Sequence, residues 1–108
     1  MVLPKILSER ESKEMLNINR YPTTKIGELV FVETCRSFPE QYEVFDSNSN
    51  QVGYVKLRFG YLRVDYPDCG GEVIYDHEFS DSWKGSFTEE EREHYLKEIA
   101  EIISKRIA

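Results

Sequence analysis

Between Gly27 and Phe79 the chain is a succession of short runs rich in β-branched and aromatic residues, each cut off by residues that favour turns. This punctuation marks successive antiparallel strands joined by tight connections. Five runs separate cleanly. Leu29 to Arg36 ends at Ser37-Phe38-Pro39, Gln41 to Asp46 ends at Ser47-Asn48-Ser49-Asn50, and Gln51 to Phe59 ends at Gly60. Tyr61 to Tyr66 then meets Pro67-Asp68-Cys69-Gly70-Gly71, from which Glu72 to Phe79 emerges. Asn tolerates the left-handed backbone and Gly adopts it freely, so these connections can reverse the chain within a few residues. A meander is the simplest topology.

Alternation inside the runs sorts their faces, because side chains two apart on a strand point the same way. Val55, Leu57 and Phe59 share one face with Leu62, Val64, Tyr66, Val73, Tyr75 and Phe79, and this set is the expected core. The opposite face carries Tyr54, Lys56, Arg58, Tyr61, Arg63 and Asp65.

Helical signals stand at the two ends. Thr88 with Glu91 has the capping-box spacing, acids fill the first turn, and Lys105 and Arg106 fill the last, which predicts a helix over 89–107. Its Tyr95, Leu96, Ile99, Ile102, Ile103 and Ile107 form an apolar stripe that needs a partner, and the apolar face of the sheet is the natural one. Ser8 with Glu11 repeats the spacing and predicts a shorter helix over 9–18, stopped before Tyr21-Pro22. The expected fold is therefore a single α+β domain, a meandering antiparallel sheet of about five strands packed on the C-terminal helix beside a short N-terminal one.

With 108 residues, 40% of them apolar, there is material for one core and not for two ordinary domains. No stretch reaches the apolar length of a membrane span, and Met1 to Arg10 lacks the apolar run of a secretory signal, so a cytoplasmic location is expected. A formal charge of -6 opposes nonspecific binding to nucleic acid. The charge is also bipolar. Asp76, Glu78, Asp81, Glu89, Glu90, Glu91 and Glu93 come late, while Lys56, Arg58 and Arg63 sit in the middle. Cys35 and Cys69 have no metal-ligand spacing and are expected to be free thiols.

His77 falls on the core side of its strand, where a packed or edge histidine is the simpler reading and a general base acting with nearby carboxylates the sharper one. His94 can pair with Glu90 on the helix surface. Gly70-Gly71 lacks the remainder of a phosphate loop and reads as a turn. No nucleophile elbow, cofactor fingerprint or zinc spacing is present, so no catalytic residue, cofactor or metal is assigned.

The cluster around Gly60 is more informative. Placing Arg58 opposite Tyr61 pairs Lys56 with Arg63 and Tyr54 with Asp65, which gathers cations and tyrosines on one outer patch. Like charges directly opposite are unfavourable unless an anion relieves them, and the relief comes either from a ligand or from Asp65, Asp76 and Glu78 within the sheet. Trp83, in a polar connector, either plugs the junction of sheet and helix, the favoured reading, or stands out as an interface anchor.

The segments Tyr42-Glu43-Val44-Phe45-Asp46, Gln51-Val52-Gly53-Tyr54, Leu57-Arg58-Phe59-Gly60 and Asp65-Tyr66-Pro67-Asp68-Cys69-Gly70-Gly71-Glu72 resemble a family of small bacterial and phage proteins of no assigned activity. The resemblance spans roughly residues 39 to 105. It implies a bacterial or mobile-element setting and a strand series closed by a helix, and it implies no cofactor or catalytic residue. Taken together, these features lead to the expectation of a non-catalytic acidic module that binds a protein partner, of accessory, immunity or inhibitor type. Its candidate contact residues are Tyr54, Lys56, Arg58, Tyr61, Arg63, Trp83, Glu90, Glu91 and Glu93. The alternatives are a ligand or single-stranded nucleic-acid binder using the basic aromatic face, and a hydrolase built on His77.

Overall fold

The computed structural model describes residues 21–108. The helix expected over 9–18 lies outside the described residues. Among the described residues six strands form one antiparallel sheet in sequence order: β1 (Thr23–Ile26), β2 (Leu29–Cys35), β3 (Glu40–Phe45), β4 (Gln51–Arg58), β5 (Tyr61–Tyr66) and β6 (Glu72–Glu78). One helix follows, α1 (Glu89–Ile107). The α+β class and the meander stand, but the strand count of five is corrected to six. The extra strand is the four-residue Thr23–Ile26, which pairs Ile26 with Leu29 across Gly27-Glu28, Gly27 having a φ of 61°. Its brevity, directly after Tyr21-Pro22, concealed it from pattern reading.

The register around Gly60 is the one expected from sequence, with Arg58 opposite Tyr61, Lys56 opposite Arg63 and Tyr54 opposite Asp65. The ladder shifts register in the β2–β3, β3–β4 and β5–β6 pairs, and two residues of the expected core face are turned outward. At the β5–β6 bulge Val64 pairs with Tyr75 but Asp65 with Val73, so Ile74 is the extra residue. The bulge keeps Tyr75 on the core side and turns Val73 outward, where it is 49% exposed. Phe59 is the second correction. It occupies the two-residue turn with Gly60, at φ 53° and 74°, and positive φ at both central positions is what a type I′ hairpin requires. The turn takes Phe59 out of the strand and leaves it 58% exposed.

The core is built from Leu29, Phe31, Tyr42, Val44, Val55, Leu57, Leu62 and Val64 of the sheet and Leu96, Ile99, Ala100 and Ile103 of α1. Each fully buried Leu or Ile contributes roughly 1.5–3 kcal/mol over its exposed state. Ile107, assigned to the stripe from sequence, is instead 40% exposed at the last turn. The capping box forms as expected: Glu91 N–H donates to Thr88 Oγ1 at 3.1 Å and Thr88 N–H to Glu91 Oε1 at 2.9 Å. Close approach of the helix depends on Gly53, where a Cβ would stand 2.7 Å from Ile103 Cδ1.

One charged cluster sits within this core. Glu40 is fully buried and accepts from Phe87 N–H at 2.8 Å, from Arg92 Nε at 2.8 Å and from the Tyr42 hydroxyl. The carboxylate thereby locks the connector, the helix and β3 together, and it raises the Arg92 guanidinium pKa by hydrogen bonding. At the other end of α1, Arg106 binds Glu72 at 2.9 Å and covers the Tyr66 ring, 4.4 Å from its centroid. Among the described residues no helix is long and apolar enough to cross a membrane.

Candidate interaction surface

The side chains expected to meet a partner divide between two regions. Tyr54, Lys56, Arg58, Tyr61 and Arg63 lie on the sheet face away from α1, because their strand partners alternate against Val55, Leu57, Leu62 and Val64 of the core. Glu90 and Glu93 are exposed on α1 and line an open groove beside Ile26 and Glu28, on the helix side. Glu91 is occupied structurally. Its carboxylate receives Thr88 N–H and pairs with Lys84 at 2.7 Å. Burial opposes ionisation, yet these bonds hold the Glu91 carboxyl below its ordinary pKa.

The outer face is not uniformly open. Val32 and Asp65 are buried, Tyr54, Lys56 and Arg63 are half-buried, and exposure concentrates at the end marked by Arg58, Phe59 and Tyr61. Asp65 accepts Gly70 N–H at 2.9 Å and faces Arg63 Nε at 3.0 Å, an ionic contact too bent to count as a hydrogen bond. Tyr61 donates its hydroxyl proton to Asp76 at 2.8 Å, and that bond raises its pKa. Internal acids thus answer Arg63 and Tyr61. Lys56 and Arg58 differ, having no carboxylate within ion-pair range among the described residues. With Phe59, Tyr61 and Arg63 they line a depression of about 180 Å³.

Trp83 is 73% exposed, so the plug reading is corrected. Phe87 fills the junction instead, buried and stacked on Tyr95 with ring centroids 5.5 Å apart. The Trp83 ring stands edge-on to Phe59 at 6.1 Å, and the Arg58 guanidinium lies 4.8 Å from the centre of the Phe59 ring. Phe38, which sequence reading used only as part of a strand break, is 72% exposed at the same end. It adopts φ 52°. Bulky residues held at positive φ cost of order 1–3 kcal/mol each and persist only where the surroundings enforce them.

Those surroundings are visible. Phe38 N–H donates to Gly85 O at 2.9 Å, Gly60 N–H to Lys84 O at 2.8 Å and Phe79 N–H to Gly60 O at 2.7 Å. Trp83 N–H bonds Asp81 Oδ1 at 2.9 Å. The connector after β6 is thus stitched to both neighbouring turns. Phe59 was missed as a surface residue because alternation carried it onto the core face, and Phe38 because it stood in a strand break to which no surface role was given. The adjoining Pro39 and Gly60 were the available signal that both sit at chain reversals.

His77 lies opposite Leu62 on the helix side of edge strand β6, exposed, with its ring 4.7 Å from Phe79 and 5.6 Å from Tyr95. Its flanking acids face the other way, Asp76 opposite Arg63 and Glu78 opposite Tyr61. The carboxylates nearest in sequence are therefore on the wrong face for a joint acid and base. Among the described residues no group of three or more His, Cys, Asp or Glu is placed to hold a metal ion, and both cysteines are free. Compared with family models, curated proteins and solved structures, the chain finds no match in any of the three.

Proposed function

We propose that this protein is a non-catalytic binding module, of accessory, immunity or inhibitor type, that holds a protein partner at the sheet end bearing Arg58, Phe59, Tyr61 and Trp83. The observation that carries this reading is the outward Trp83, 73% exposed on a connector tied down by backbone hydrogen bonds. Trp, Tyr and Arg dominate the residues whose truncation weakens interfaces, and here they are neighbours. A protein is favoured over a nucleic acid because the formal charge is -6 and Asp65 already engages Arg63, which leaves Lys56 and Arg58 on this face, too few for a run of phosphates though enough for one or two carboxylates.

The test is site-specific photo-crosslinking in the source cells, with benzoyl-phenylalanine in place of Trp83 and, as a distant control, of Glu101. A discrete protein adduct from position 83 and none from 101 is the expected result. Adducts from position 83 that a nuclease removes would support the nucleic-acid alternative, and no adduct at all would overturn the binding role.

A further inference from the structure

Phe38, Phe59 and Trp83 are the three most exposed large apolar side chains among the described residues, at 72%, 58% and 73%. All three belong to connections at one end of the sheet: the β2–β3 loop, the β4–β5 turn and the β6–α1 connector. An exposed aromatic on a frayed loop would mean little, but these are fixed. Gly85 and Gly60 let the connector press against the two turns, since a Cβ at Gly85 would come 2.5 Å from Phe38 Cδ1 and one at Gly60 would come 2.5 Å from Asp81 O. The fold holds Phe38 and Phe59 in left-handed backbone while leaving both rings mostly in solvent, so their burial contributes little to the folded chain itself. Rigid, pre-placed aromatics lose little freedom on association, which is where such an arrangement becomes favourable.

The ligand chemistry follows from what borders the rings. Arg58 lies against Phe59, and Lys56 lies on the same outer face of β4, two residues before it; neither has a carboxylate partner among the described residues. We infer that Phe38, Phe59 and Trp83 form a preorganised anchor for an acidic protein segment that brings an aromatic or aliphatic side chain onto the rings and carboxylates onto Arg58 and Lys56. This inference rests on the binding-module reading and names the chemistry of the partner. A basic segment would leave the two cations unanswered, and a purely polar one would leave the rings wet.

Selection of a random dodecapeptide display library on the purified full-length chain tests it. Enriched peptides should combine at least two Asp or Glu with a nearby aromatic or aliphatic residue. Synthetic versions should shift the emission of Trp83, the single tryptophan, and lose about tenfold or more in affinity with Trp83→Ala or Arg58→Glu. Phe59→Asn separates function from structure, because Asn accepts positive φ far better than Phe. It should weaken peptide binding while leaving the melting temperature equal or higher. A melting temperature that falls together with binding would show that the ring is there to hold the turn, and the inference would fail. Enrichment of basic or purely polar peptides, no enrichment, tighter binding of an oligo-dT strand, or self-association abolished by Trp83→Ala would each overturn it as well. If the peptides fail while position 83 still crosslinks to a protein, the inference falls and the binding-module reading survives.

Discussion

Replacing Gly53 with alanine probes the contact that places α1 on the sheet. A Cβ there would stand 2.7 Å from Ile103 Cδ1 and 3.4 Å from Val44 Cβ, in the closely packed part of the core. Adding a methyl to a filled core costs about 1–3 kcal/mol. About 0.5–1 kcal/mol of that is offset because glycine is the poorer residue inside a strand. The net loss for Gly53→Ala should then lie between about 0 and 2.5 kcal/mol, centred near about 1 kcal/mol. Ile103→Val deletes the opposing Cδ1 and by itself costs about 0.5–1.5 kcal/mol through the void it leaves. In the double variant the new methyl occupies the space that Cδ1 vacated. Its stability should exceed the additive value by about 1 kcal/mol, a coupling of the size found between touching side chains. Urea unfolding followed by circular dichroism resolves this, since with a slope of about 2 kcal/mol/M a change of about 1 kcal/mol moves the midpoint by about 0.5 M. Additivity within about 0.5 kcal/mol would mean that the two positions do not meet, and the placement of α1 across β4 would be refuted.

Arg92→Met strands the fully buried Glu40 carboxylate and should destabilise the fold by about 3–5 kcal/mol, whereas Lys97→Met, on the exposed side of the same helix, should change stability by no more than about 0.5 kcal/mol. Equal urea midpoints for these two variants would contradict the lock described for Glu40. Burial, reinforced by the bonds to Glu40 and Glu98, raises the phenol pKa values of Tyr42 and Tyr75 above their ordinary value in the folded chain. A raised folded pKa gives stability that is complete below the unfolded value near 10 and disappears as pH climbs from there toward the folded values. The melting temperature should fall above about pH 10, and Tyr42→Phe should flatten that decline while lowering stability at neutral pH. An alkaline limb unchanged by Tyr42→Phe would show that other groups govern it.

Much of the architecture was legible before any coordinates. Turn residues punctuated the strands, and the Gly60 hairpin fixed the pairing of Lys56 with Arg63 and of Tyr54 with Asp65. Thr88 and Glu91 marked the start of α1 with the bonds now seen. The misplacement of Val73 and of Phe59 has one cause. Hydrophobic alternation assumes an unbroken ladder, and the bulge at Ile74 and the positive φ at Phe59 each break it, which turned Val73 and Phe59 outward. Trp83 was misplaced for a related reason, because Phe87, four residues later, reaches the junction first and stacks on Tyr95. The candidate surface was half visible. Arg58, Tyr61 and Arg63 follow from register, but Phe38 could join them only once Gly85 had brought the connector alongside the β2–β3 loop.

The sequence by itself determined the local choices: where strands begin and turn, where the last helix is capped, and which cations lie side by side on two neighbouring strands. These depend on residues close together along the chain, whose backbone preferences and spacing act whatever the remainder does. Tertiary structure decided which charges are already answered and which rings face outward. Arg63 meets Asp65 on its own strand, yet Glu40 finds Arg92 from 52 positions away. The connector likewise fastens two distant turns so that Phe38, Phe59 and Trp83 face solvent at one end. Burial and ion pairing are properties of the packed whole, because water leaves a side chain only when parts remote in sequence close over it.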